Sequence, residues 1–228
     1  KLVCHTCKWK IPNMYAKSEK YQNLALFDFD GTLCKKDSFT GFIFYALSKR
    51  HIVKQGIKIL PWIQAYYLNI YPAAAMRVKL FKAMFTDANS SEIIDLAEEY
   101  ATHLFTQLDP ILYQQLLKHK KLGDKIVIVS ASIDLYLKQV CILLDVDLIC
   151  TETEIINQTF TGHYSTPDCS CEQKRSRILE KYNTNQYNRI YAYGNSVEDL
   201  DMFSLANFTY MVGEDQKLPH IDDHKQSA

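Results

Sequence analysis

The chain has 228 residues, 47% of them apolar, with 26 basic side chains against 26 acidic ones. That composition excludes a disordered polymer and suffices for one full hydrophobic core, or for a core carrying a smaller insertion. A net charge of zero supplies no global field to steer the chain onto nucleic acid, and no nucleic-acid partner is expected.

Residues 1–21 are polar and aperiodic and read as an irregular leader. They lack the apolar stretch of a secretory signal. Leu24 to Phe29 (LALFDF) is a short apolar run that ends in acids and Gly31, the pattern of a buried parallel strand delivering its last residues to a loop. From 39 to 109 the spacing becomes helical. Ile57, Leu60, Ile63, Tyr67 and Ile70 recur every three to four residues, as do Ile93, Leu96, Tyr100 and Leu104. Pro61 and Pro72 are expected to start or interrupt helices, and Asn89 with Ser90 to cap one.

After Asp109-Pro110, strands and helices alternate: KIVIV (125–129), a helix through Leu135, Val140 and Leu144, VDLIC (146–150), a hairpin over 152–165 suggested by Gly162, a helix at 173–182, RIYAY (189–193), a helix at 197–205, and a last strand over 208–212. The order predicts an α/β protein, a doubly wound parallel sheet with an inserted helical domain. The core is expected from 22–38 and 110–228, and the insertion from 39–109. No window reaches the ~18–20 apolar residues of a membrane span. Seven scattered cysteines, several inside apolar runs, suit a reduced, cytoplasmic protein.

In a doubly wound sheet, ligands sit beyond the carboxyl ends of the strands. Three such ends carry chemistry: Asp28-Phe29-Asp30-Gly31-Thr32, Ser130-Ala131-Ser132, and Gly194-Asn195-Ser196 with Asp199. Two carboxylates one residue apart at a strand end point the same way, and their repulsion is relieved by a hard divalent cation, for which magnesium suits carboxylates plus phosphate. One aspartate can then attack phosphorus and the other exchange the proton. Ser130 and the nearby amides, with Lys174, offer donors to a phosphoryl group; Asn195 and Asp199 complete a metal site directly or through water. Taken singly, each feature has a plainer meaning: a solvated turn, a helix cap, a surface lysine. Their joint order carries the reading.

That ordered set, FDFDGTLC (27–34), Ser130 in IVSAS, Lys174 in CEQKR and GNSVEDLDM (194–202), resembles the haloacid dehalogenase-like superfamily, in the branch that includes phosphoserine phosphatase. The resemblance spans residues 22 to 212. It implies Asp28 as nucleophile and Asp30 as general acid/base. It also implies magnesium held by the Asp28 carboxylate, the Asp30 carbonyl, Asn195 and Asp199, and a phosphoryl group held by Ser130, Ala131 and Lys174. The helical insertion would be a mobile cap that excludes water. The family usually has Asp at position 195, so Asn195 implies a weaker metal site. Asp37 aligns with a cap residue that reads the substrate amino group, as a shorter acid than usual. The pattern ALFDFDGTL (25–33) with KKDSF (35–39) and a later YAYGNS (191–196) looks closer to an uncharacterised or phospholipid-phosphate branch, phosphatidylglycerophosphate phosphatase-like.

The expected function is therefore magnesium-dependent hydrolysis of a phosphomonoester, either a small phosphometabolite or a phospholipid headgroup phosphate. A phosphotransferase or phosphomutase with the same nucleophile, and a weakened phospho-ligand-binding module, are the alternatives. Lys49, Arg50, Lys54 and Lys58 accompany the apolar stretch Gly56–Tyr71. That pattern reads either as a face for weak membrane-surface contact or, more plainly, as a cap core with solvated flanks. Arg77 and Lys79 read as surface cations or as holders of a second anionic group. Cys4, His5 and Cys7 with Cys169 and Cys171 do not have the spacing of a zinc finger.

Overall fold

The computed structural model describes residues 23–221, so the leader over 1–21, with its Cys4-His5-Thr6-Cys7 segment, lies outside the described residues. In chain order, β1 (Asn23–Phe27) is followed by four helices, α1 (Ser38–Ala46), α2 (Lys49–Tyr67), α3 (Ala73–Phe85) and α4 (Ser90–Phe105). Then come α5 (Pro110–Lys121), β2 (Lys125–Ile133), α6 (Asp134–Leu144), β3 (Asp147–Thr151) and a two-stranded pair, β4 (Thr153–Ile156) and β5 (Thr159–Tyr164). The remainder is α7 (Glu172–Lys181), β6 (Arg189–Gly194), α8 (Leu200–Phe203) and β7 (Phe208–Met211).

Five strands form one parallel sheet in the order β3-β2-β1-β6-β7. β1 is its middle strand and is buried along its whole length, because helices cover both faces. Leu24 and Leu26 pack with Ile178 of α7 and Met202 of α8. Ala25 and Phe27 point the other way, into a core shared with Leu112 and Leu116 of α5 and Val140 of α6. Side chains alternate across a strand, so one apolar run feeds two cores, and each fully buried Leu or Phe is worth about 1.5–3 kcal/mol. The expected α/β architecture with a helical insertion after the first strand is the one observed.

Four local features differ from expectation. Pro61 lies inside α2 rather than at its start; it is on the exposed side, where water reaches the carbonyl left without a donor. Asp109-Pro110 opens a helix, α5, capped by Asp109, whose side chain accepts from the amides of Ile111 and Leu112. The segment after Ser196 forms one 3-10 turn and one short helix instead of a continuous helix. The hairpin turn falls at Asn157 and Gln158, both left-handed (φ 50° and 61°), not at Gly162.

Gly162 lies within β5 at φ +79°, and a Cβ there would meet Thr86 Oγ1 at 2.1 Å. The glycine lets the hairpin press against α3. Around the end of α3, the Asp87 amide donates to the Phe160 carbonyl, the Phe160 amide to Ala88, and the Ser90 amide to Gln158. The expected outcome of Gly162→Ala is a loss of roughly 1–3 kcal/mol in stability, read from denaturant unfolding, from the left-handed backbone and the overpacked contact together.

Candidate active site

β1 lies between β2 and β6, with Phe27 in register with Ile128 on one side and Tyr193 on the other. The chain turns to opposite sides of the sheet here, so the ends of three strands open into one crevice. Asp28, Ser130, Lys174, Asn195 and Asp199 line one cavity of about 810 Å³, together with Asp30, Asp37 and Ala131. The residues singled out in the sequence are thus brought together, although they come from segments up to 171 residues apart, Asp28 to Asp199.

At the floor, Lys174 Nζ lies 2.6 Å from Asp28 Oδ1 and 2.5 Å from Asp199 Oδ1. Lys174 is 2% exposed. Burial alone would lower its pKa, but Asp28 and Asp199 outweigh that and hold it above the usual lysine range, so it is a fixed cation. The second oxygen of Asp28 accepts from Thr32 Oγ1 at 3.0 Å. Burial pushes the Asp28 carboxyl up to about 7; Lys174 opposes the shift, and Asp199 and, more weakly, Asp30 add to it.

The two acids of the DFD segment therefore do not share a partner. The Asp30 carboxylate turns toward the helical side, accepting from the Ser38 amide at 2.6 Å and from Ser132 Oγ. Behind it, Ser38 Oγ donates to Tyr136 Oη at 3.0 Å, and Tyr100 Oη donates to the Ser38 carbonyl at 3.0 Å. Burial raises the Asp30 carboxyl pKa, against the hydrogen bonds from Ser132 and Ser38. Asp28 and Asp30 line one cavity, as expected, but each carboxylate is held by its own donors, and Asp30 is the weakest of the charges acting on Asp28.

Asp199 is held by the loop that follows β6 as well as by Lys174. Its Oδ2 accepts from the amides of Asn195 (3.0 Å) and Ser196 (3.1 Å), so both oxygens are engaged. It positions Lys174 and the Asn195 loop. Gly194 and Gly31 permit the approach: a Cβ on Gly194 would sit 2.6 Å from Asp199 Oδ2, and one on Gly31, at φ +74°, 2.1 Å from Asn195 Nδ2. Ser130 Oγ accepts from the Ser132 amide at 3.1 Å. The Ala131 carbonyl accepts from Thr151 Oγ1 at 2.8 Å. The β2 ladder shifts register between Ser130 and Ile133, which lifts Ala131 and Ser132 toward the cavity. Asp37 lines the same cavity, but both its oxygens cap α1 through Thr40.

Sequence reasoning names Thr32, Ser38 and Ser132 without giving them a role, and passes over Tyr136. Small hydroxyls beside a named acid are the only signal, and serine is too common after strands for that to stand out. Arg77 is not a free cation: its Nε and Nη2 each lie 2.8 Å from Asp168, and Nη2 lies 3.1 Å from Glu198. Lys79 lies over the Trp62 ring at 4.0 Å. Cys169 is buried and Cys171 exposed, both as free thiols. Among the described residues, no group of three His, Cys, Asp or Glu side chains is placed to hold a metal, and no helix is long and apolar enough to cross a membrane.

Residues 25–204 match the family described as haloacid dehalogenase-like hydrolase. The histidinol-phosphatase of Neisseria meningitidis serogroup C (strain 8013) is 23% identical over 212 residues, covering 86% of this chain and 93% of that one. Among solved structures, a protein of unknown function from Bordetella pertussis Tohama I superposes with a TM-score of 0.69 at 21% identity, over 83% of this chain and 89% of the other. A substrate-bound phosphoserine phosphatase complex superposes at 0.56 with 16% identity, over 84% and 86%. With the family match covering most of its length, the chain belongs to the haloacid dehalogenase-like hydrolases.

Proposed function

We propose that this enzyme hydrolyses a phosphomonoester through an aspartyl-phosphate on Asp28, with magnesium bound. The observation that carries the reading is the buried Lys174 bridging Asp28 and Asp199, with Asp30 independently hydrogen-bonded beside them. Asp28 attacks phosphorus. The ester oxygen leaves with a proton from Asp30, whose raised pKa suits a donor. Asp30 then takes a proton from water as that water attacks the acyl phosphate, which frees phosphate and restores Asp28. Lys174 and the Ser130–Ala131 segment hold the equatorial oxygens.

The residues fit a hard dication. Asp28 Oδ2 and Asn195 Oδ1 converge on Thr32 Oγ1, at 3.0 and 3.4 Å. The Asp30 carbonyl accepts no hydrogen bond among the described residues. Three buried or half-buried carboxylates, Asp28, Asp30 and Asp199, face one ammonium, Lys174, and the remaining charge calls for a cation. Asp28, the Asp30 carbonyl and Asn195 would hold it, with Asp199 acting through Lys174 and the loop or through a water. When bound, magnesium neutralises charge on the phosphoryl oxygens. Residues 39–109 act as the cap, with Asp37 at its hinge.

The test is turnover of p-nitrophenyl phosphate in ¹⁸O-labelled water, with magnesium and after chelation. Label in the released phosphate, lost with chelator and restored by magnesium, is the expected result. Magnesium should also raise the melting temperature, by the equivalent of about 2.7 kcal/mol at one hundred times its Kd. Unlabelled product on an acceptor hydroxyl would mean a phosphotransferase, and tight phosphate binding without turnover a binding module.

A further inference from the structure

The cavity has two kinds of wall. Its floor is the charged cluster on the sheet; its roof comes from α1, α2 and α3 and is mostly apolar, with Ile43, Ile52, Ile63, Met76, Leu80 and Met84 beside the hydroxyls of Thr40, Tyr66 and Tyr67. The charged side chains that line it away from the floor already have partners. Lys35 pairs with Asp109 at 3.2 Å, Asp37 caps α1, and Arg77 holds Asp168 and Glu198. Freeing Arg77 for a second anion would break a two-pronged, part-buried pair and a further contact. A substrate ammonium would share Asp37 with Thr40 or Glu198 with Arg77.

We infer that the alcohol released by this enzyme is uncharged and apolar beyond its phosphate, an alkyl, isoprenoid-like or aromatic group that fills the roof. The inference rests on the phosphomonoesterase reading, and it separates the chain from enzymes whose substrates carry an amino group. Its test measures the binding of n-alkylphosphonates, ethyl to octyl, by calorimetry with magnesium present, and kcat/KM for the matching alkyl phosphates and for phosphoserine. Affinity should rise by up to about fourfold per methylene, and at least about tenfold over the series. Leu80→Gln and Ile63→Gln should flatten that slope while ethylphosphonate binds as before. Affinity indifferent to chain length, or phosphoserine turned over faster than octyl phosphate, would overturn the inference. Length-dependent binding with no ester hydrolysed would uphold it and overturn the catalytic reading instead.

A different observation carries a second inference. Between Ser38 and Thr86 the chain contains no Asp or Glu, although its net charge is zero. On α2, Val53, Ile57 and Leu60 are exposed at 60%, 67% and 45%, and their spacing places them on one stripe. Lys49, Arg50, Lys54 and Lys58 belong to the same helix. Ile52, Ile59 and Ile63 take the inner side, so α2 is apolar on two faces. Pairing this face with a second copy would set like charges against each other. We propose that the stripe seats on an anionic lipid surface, apolar side chains in the interface and cations on the headgroups.

Sedimentation with phosphatidylcholine vesicles, with and without phosphatidylglycerol, tests this. Binding is expected only with the anionic lipid, weakened by salt, and reduced at least about tenfold by Ile57→Glu or Lys54→Glu, with p-nitrophenyl phosphate turnover unchanged. Equal binding to both vesicles, binding to neither, or a solution dimer dissociated by Ile57→Glu would overturn it.

Discussion

Asp28→Asn is expected to lower kcat/KM by roughly 10⁴-fold or more while leaving the protein folded. The amide keeps the size of the carboxylate but cannot form the acyl phosphate. Stability is the more discriminating readout. Burial holds the Asp28 carboxyl up at about 7, so between its ordinary value of 3.8 and about 7 the folded chain binds more protons than the unfolded one. Stability owed to this group is therefore lost as pH rises through that window. In chelator at pH 8, where the buried carboxylate is charged, the substituted amide removes that cost, and Lys174 keeps Asp199 as partner. The variant should melt no lower than the parent there, and magnesium should raise its melting temperature less. Activity surviving the change would refute the nucleophile; a collapsed fold would mean that Asp28 is structural.

The second large effect belongs to Lys174. Its Nζ is the one cation between Asp28 and Asp199 among the described residues, and all three side chains are buried. Lys174→Met leaves two carboxylates facing each other in low dielectric. Removing one partner of a buried pair costs about 3–5 kcal/mol, and for a chain of this size each kcal/mol is worth roughly 2–4 °C in Tm. A fall of about 6–20 °C and loss of turnover are expected. The double variant Lys174→Met/Asp199→Asn should recover much of the melting temperature and none of the activity, because the missing charge is also the one proposed to meet the phosphoryl group. Calorimetry on both variants checks this. A single variant as stable as the parent would show that the ion pairs are not formed.

Much of the site is legible in the chain itself. The apolar runs ending in DFDGT, SAS and GNS announce strands that deliver polar residues to one edge, and the long helical periodicities announce the insertion. Other features are not legible. The alternation over 152–165 predicts the hairpin, but neither its turn at Asn157 and Gln158 nor the contact of Gly162 with Thr86 is revealed by any local pattern. The spacing makes Asp30 half of a charge pair, yet its partners, Ser38 and Ser132, reach it from a helix and a shifted strand edge.

Residue order alone was enough for the sheet, the sequence of its parts and the set of polar residues that gather in one cavity. Strand patterning and residue chemistry are local, and the joint order of four short segments is rarely accidental. How charge is shared and what lines the cavity came only with the packed chain. Which ammonium meets which carboxylate, whether Arg77 is free or held, and which side chains roof the cavity depend on distances between residues far apart in the chain. Burial then weights those distances, because in a medium of low dielectric a single partner decides a group's charge.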